Sequence, residues 1–125
     1  MSGKIGDIIK SADWKAEKHV PVIVVPSSIP VGEAFEVEVS VGREIPHPNT
    51  IEHHIVWIAL YFVPASSQVP VELARMEFRA HGPDSFTAPT LKATIRLPGA
   101  GTLYATSYCN IHGLWEYSQP ITVLV

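Results

Sequence analysis

Residues 35–41 read FEVEVSV and alternate without exception. Phe35, Val37, Val39 and Val41 share one face, and Glu36, Glu38 and Ser40 share the other. A period of two marks a strand half-buried against a core. A helix would scatter those apolar residues around its axis. The segment therefore commits this part of the chain to a sheet with one wet face and one dry face.

Other segments follow the same rule less strictly. HIVWIALYFV (54–63) is apolar on both faces and rich in β-branched and aromatic residues, which predicts a strand covered on both sides by a sheet, a loop or a second subunit. VPVIVV (20–25), VELARMEF (71–78), LKATIRL (91–97), TLYATSYC (102–109) and ITVLV (121–125) bring the predicted strands to seven. Between them lie SSIPVGE, EIPHPN, VPASSQVP, HGPDS and LPGAG, all with turn chemistry. The 11 prolines cannot sit inside ladders, so they mark edges and loops. Only GDIIKSADW (6–14) suits a helix, of one or two turns. Seven short strands at fairly regular spacing predict an all-β antiparallel β-sandwich, one domain over 1–125.

Composition narrows the function. Hydrophobic residues make up 46% and charged residues 17%, enough apolar material for a packed core. The net charge of -3 and the lack of a basic block argue against nucleic acid as a partner. A single cysteine excludes an internal disulfide and fits a reducing compartment. No apolar run is long enough for a signal peptide or a spanning helix. The expectation is a soluble cytoplasmic protein with no membrane partner.

The lone cysteine sits in SYCNIHGLW (107–115), three residues before a histidine. Cys109 and His112 can share one metal ion. Taken singly, each of the six histidines is an ordinary surface or hydrogen-bonded residue, and a lone cysteine is a small buried hydrophobe. The set changes the reading. His19 lies in EKHVP, His47 in PHP, His53 and His54 in EHH, and each sits in or beside a loop. Loops gathered at one end of a rigid sandwich commonly carry function. His53 and His54 are neighbours in an extended chain and point to opposite faces, so one of them faces the metal while the other packs elsewhere. His81, in the turn HGPDS, has no assigned role.

A structural zinc site would use Cys109 and three histidines and leave one histidine over. A blue-copper electron carrier would want a weak axial methionine soon after His112, and GLWEYSQP (113–120) contains none. Both readings stay open at this level.

EKHVPVI, EIPHPNTIEHHI and SYCNIHGLW together resemble, in order and spacing, the three signature segments of superoxide reductases of the one-iron, neelaredoxin type. The resemblance runs over nearly the whole chain. A two-iron relative would carry a further four-cysteine iron module, which one cysteine cannot supply. AHGPDSFTAPTL (80–91) is short and lacks an insertion common in relatives.

The resemblance implies an immunoglobulin-like seven-stranded sandwich holding one non-haem iron per chain on His19, His47, His53, His112 and Cys109. The four imidazoles would be equatorial and the thiolate axial. It implies one-electron reduction of superoxide to hydrogen peroxide, as defence against oxidative stress, with Fe(III) re-reduced by a rubredoxin-like donor. It implies that Lys18 draws in the anion and orients water, and that Glu17 ligates the oxidised iron and leaves on reduction. The strand at 54–63 fits a homo-oligomer, a tetramer as in relatives, and equally a monomer with a well-covered sheet.

Overall fold

The computed structural model describes residues 3–124. Two antiparallel sheets carry the fold. One has three strands in the order β1 (Val22–Val24), β3 (Phe35–Ser40), β6 (Thr90–Ile95). The other has four, in the order β5 (Val71–Glu77), β4 (Ile55–Pro64), β7 (Gly101–Cys109), β8 (Gly113–Ile121). A short parallel pair, β2 (Ile29–Pro30) with β9 (Val123–Leu124), closes one edge. This is the predicted immunoglobulin-like sandwich, with β5 hydrogen-bonded to β4 rather than to β6.

The strict alternation at 35–41 does what its period requires. Val37 and Val39 are fully buried, and Glu36 is exposed. They meet Ile58, Leu60, Leu103 and Ala105 from the opposite sheet, all fully buried as well. Each large side chain so placed contributes about 1.5–3 kcal/mol of transfer free energy. β4 turns its large core side chains to one face, and on the other only the small Ala59 is fully buried. Its register shifts between Ile55 and Trp57, so Ile55, Ile58, Leu60 and Phe62 turn inward. Trp57, Tyr61 and Val63 lie half-buried on the outer face beside Tyr104 and Tyr108 of β7.

The number seven holds for the two main sheets, but one member differs from the expectation. The predicted strand ITVLV (121–125) is divided: Ile121 ends β8, Val123 and Leu124 form β9, and Val125 lies outside the described residues. The strand that completes the sandwich is β8, GLWEYSQPI, which sequence reading took for loop. Trp115 and Tyr117 alternate inward, but Gln119 and Pro120 break the pattern. Pro120 is tolerated because β8 is an edge strand whose outer side asks for no donor. The helix expected within 6–14 shrinks to one 3-10 turn at Ile5–Asp7. After it, Lys10 runs along β8, taking a hydrogen bond from Glu116 N–H (2.8 Å) and donating one to the Leu114 carbonyl (3.2 Å).

Candidate metal centre

Three stretches of chain meet at one end of the sandwich. The first leads into β1. His19 is buried there, and its carbonyl accepts a hydrogen bond from Ser107 Oγ on β7 (3.0 Å). The second is the connection between β3 and β4, which carries His47 and His53. Gly42 makes its first bend possible, because it has φ 83° and a side chain there would meet the His47 backbone nitrogen at 2.7 Å. The third is the β7–β8 reversal, where Cys109 pairs with Gly113 across the turn. Gly113, at φ 82°, takes the left-handed conformation that brings the chain back.

The four imidazoles form a closed ring. Centroids of neighbours are 4.7 Å apart for His19–His47, 4.6 Å for His47–His53, 5.0 Å for His53–His112 and 4.8 Å for His112–His19. The diagonal His19–His53 is longer, 6.3 Å. His19 therefore faces His53, and His47 faces His112. Cys109 Sγ lies 3.6 Å from His47 Nε2 and 3.7 Å from His112 Nδ1, close to midway between two opposite members of the ring. One donor atom from each of His19, His47, His53 and Cys109 lies within 4.8 Å of the others. His112 joins them with Nδ1 at 3.2 Å from His19 Nε2. Two nitrogens at right angles around one ion, each about 2.1 Å from it, would be about 3.0 Å apart. The cage is close to that size.

The hydrogen bonds settle which ring atoms face inward. His47 Nδ1–H donates to the Pro48 carbonyl (2.7 Å), leaving Nε2 with its lone pair. His19 Nδ1–H donates to Glu17 Oε1 (2.7 Å), which also accepts the His19 backbone N–H, again leaving Nε2. A partner on the outer nitrogen is how ligating histidines are usually oriented. His53 Nε2 is buried with no hydrogen-bond partner. A buried polar atom without a partner is costly, and a metal would satisfy it. The donor set thus fits a metal ion.

Burial acts in the same direction. It pushes the His47 imidazole down to about 4, with the neighbouring His19, His53 and Lys18 charges adding to the effect. Burial also lowers His19 and outweighs the pull of Glu17. Burial alone would raise Glu17, but the hydrogen bonds from His19 backbone and ring hold its carboxyl below the ordinary value. The His19–Glu17 contact is therefore a neutral imidazole donating to a carboxylate rather than an ion pair. Neutral imidazole is the form that binds metal.

Cys109 is fully buried, and its sulfur accepts the His112 backbone N–H (3.4 Å). The sulfur therefore stands on the core side of the imidazole ring, while His112 is exposed. Lys18 is half-buried, and its charge acts on Glu17, His19, His47 and His53 alike. Among the described residues no carboxylate pairs with it.

The profile of the desulfoferrodoxin family matches residues 11–118. This chain belongs to the desulfoferrodoxin family. It is 54% identical over 110 residues to the superoxide reductase of Pyrococcus abyssi, covering 88% of this chain and 92% of that one. It is 42% identical to the neelaredoxin of Megalodesulfovibrio gigas, over 96% and 98% of the two chains. The solved structure of the Archaeoglobus fulgidus superoxide reductase (neelaredoxin) in its reduced form superposes with a TM-score of 0.85 at 46% identity, over 93% of this chain and 99% of that one.

Within this desulfoferrodoxin-family site, His19, His47, His53, Cys109 and His112 come together as their motifs suggest. His54 turns away from the ring, and its imidazole stacks on His81. Sequence reading passed over two residues that shape the site. Trp115 stacks on His19 at 4.9 Å and 11°, with Lys10 Nζ 5.5 Å over its ring. Ser107 is buried and anchors the His19 carbonyl. Both were detectable as inward positions of alternating strands, but only once β8 was recognised and the register of β7 was known.

Proposed function

We propose that the chain is a superoxide reductase that reduces superoxide to hydrogen peroxide by one electron. In this reading it is one iron-binding domain. His19, His47 and His53 through Nε2, His112 through Nδ1, and Cys109 through sulfur hold one non-haem iron. The observation that carries the reading is the closed ring of four imidazoles with the buried Cys109 sulfur on its core side. Five donors so arranged exceed what a structural zinc site or a blue-copper carrier uses. They leave the side opposite the thiolate for a small anion. Held by the five donors, iron would supply the single electron.

The chain's own groups do the rest. Lys18 gives a local positive charge to a protein of net charge -3, which favours capture of an anion. Its ammonium also orients water for delivery of the two protons that peroxide requires. Glu17 holds His19 in the tautomer that presents Nε2. Glu17 would also offer a carboxylate to oxidised iron; in this structure its Oε1 is engaged on His19. The amide of His112 donates to sulfur and moderates the thiolate's electron donation.

Re-reduction falls to a small electron carrier such as rubredoxin. Ile5, Ile8 and Lys10 line a groove beside the exposed His112 and give such a carrier an apolar surface next to the site. The outer face of β4 and β7, with Trp57, Tyr61, Tyr104 and Tyr108, supports a homo-oligomer, a tetramer in the fullest form. No helix among the described residues is long and apolar enough to cross a membrane, and we place the protein in the cytoplasm.

The test is metal analysis followed by kinetics. Iron-loaded protein should hold about one iron per chain, show a visible band that bleaches on reduction and, supplied with a one-electron reductant, remove superoxide with one peroxide formed for each superoxide consumed. One oxygen and one peroxide for every two superoxides consumed would instead mean dismutation. Failure to retain iron would overturn the site.

A further inference from the structure

The histidine that points away from the ring has a partner of its own. His54 and His81 stack face to face, with centroids 3.5 Å apart and planes 9° from parallel. Each ring is fixed from a second direction. His54 Nδ1–H donates to the Thr50 carbonyl (2.9 Å). His81 contacts the Asn49 Oδ1 through Nδ1 (2.6 Å) and the Phe78 carbonyl through Nε2 (2.8 Å). Asn49 continues outward, its Nδ2–H donating to the Thr87 carbonyl (3.0 Å). The segment beneath His81 is itself closed, by Thr87 N–H to the Ala80 carbonyl (2.7 Å) and Gly82 N–H to the Ser85 carbonyl (3.0 Å).

The turn that this pair grips is the one that presents His53. Thr50 N–H donates to the His53 carbonyl (2.9 Å), and the His53 N–H returns to Thr50 Oγ1 (3.1 Å). Asn110, next to Cys109, ties the same turn to the β7–β8 reversal. Its Oδ1 accepts the His54 N–H (2.9 Å), and its Nδ2–H donates to the Glu52 carbonyl (3.0 Å). His53 needs such support more than its neighbours do. The outer nitrogens of His19 and His47 are held by Glu17 and Pro48. No hydrogen bond to the His53 ring occurs among the described residues, and its Nε2 has no partner. The direction of its ring is therefore set by its backbone, and its backbone is set by the clasp.

We propose that His54 and His81 are positioning residues for the metal centre, acting through the turn at 50–54 to aim His53 Nε2 into the ring of donors. The inference rests on the five-donor reading above. It goes beyond that reading by giving a task to two histidines that bind no metal.

Cobalt(II) added to metal-free protein tests it without reference to turnover. The wild type should bind one cobalt and show a thiolate-to-cobalt band from Cys109. His81→Ala should show the same band at saturation, because Cys109 is untouched. Its dissociation constant, measured by competition with a chelator, should rise about 10–100-fold, the range seen for outer partners of metal ligands. His81→Phe keeps a flat ring against His54 but loses the ring's polar contacts with Asn49 and Phe78, and it should fall between the two. If His81→Ala does not fold, the Phe variant carries the test alone, with a rise in dissociation constant of several-fold expected. A variant that melts earlier when metal-free, yet binds cobalt as tightly as wild type, would show a merely structural role and overturn the proposal. A wild type with no thiolate-to-cobalt band would instead bring down the five-donor reading, and the clasp with it.

Discussion

The two halves of the site are built differently. His19 and Cys109 belong to the sandwich. Cys109 is the last residue of β7, paired with Ile55 on one side and Gly113 on the other, and the His19 backbone is fastened to Ser107 two residues earlier on the same strand. His47 and His53 hang from the connection between β3 and β4, and His112 lies on an exposed reversal. The first half can move only if the core moves. The second is held by local bonds: Pro48 for His47, the Thr50 turn for His53, and Gly113 for His112. In the five-donor reading, a sulfur fixed by ladder geometry would keep its place through a redox cycle, while loop-borne imidazoles would adjust to a changing metal radius. The difference implies that damage on the sheet side should be severe and damage on the loop side graded.

The strongest break comes at the buried donor. Cys109→Ser should remove the visible charge-transfer band and lower the superoxide rate constant by more than the roughly 10–100-fold typical of outer partners of metal ligands. Survival of both the band and the rate would remove sulfur from the site. Next is Ser107→Ala, which touches no donor atom. It deletes a buried hydroxyl and leaves the His19 carbonyl without its partner, at a cost of about 1–3 kcal/mol in unfolding free energy. Chemical denaturation of the metal-free variant measures it. A loss well below 1 kcal/mol would mean that water replaces the hydroxyl and that His19 is less firmly tied to the sheet than the bond suggests.

The same division explains what could be read from the sequence. On the sheet half, the period of FEVEVSV declares its inward face, and Cys109 was legible as a small buried residue at the end of a strand. The loop half was legible only as motifs. No periodicity puts His47 beside His53, because the path of residues 42–54 depends on Gly42 and on bonds between side chains distant in sequence. The stack of His54 on His81 joins residues with no sequence signal in common, and so it escaped notice. β8 was missed because Gln119 and Pro120 break its pattern near the end. Recognising that an edge strand tolerates proline requires knowing that it is an edge. Glu17 shows a further limit. The family resemblance assigns it to the oxidised iron, and in this structure its carboxylate is engaged on the outer nitrogen of His19.

A smaller effect should follow at the mouth of the site. Lys18→Ala removes a charge that no described carboxylate offsets, without removing a ligand. Capture of superoxide should slow by about 10-fold, the lower end for focused electrostatic attraction. The slope of the rate constant against ionic strength should flatten, because the attraction lost is one that salt screens. Iron content should stay at the wild-type level. A rate that falls with its salt slope unchanged would move Lys18 from attraction to proton delivery.

The mildest test is acid on the metal-free protein, and it separates the halves by the state of His47. The His47 imidazole ordinarily takes its proton near 6.5, and burial delays that to about 4 in the folded chain. Between those values the unfolded chain binds more protons than the folded one, so stability falls as pH falls. The loss begins below about 6.5 and is complete once pH drops through about 4, where both states are protonated. His19 and His53, also lowered chiefly by burial, act in the same direction. Glu17, held below its ordinary value, adds a loss only at the acid end, as pH falls below the unfolded carboxylate range. The melting midpoint of the metal-free protein should therefore decline steadily from pH 7 to pH 4. His47→Gln should remove part of that slope and leave the remainder to His19 and His53. A midpoint that stays level to pH 4.5 would mean that the loops open and protonate before the sandwich melts. The loop half would then be a separate unit of lower stability, and the contrast with Cys109 would be sharper than the static structure alone conveys.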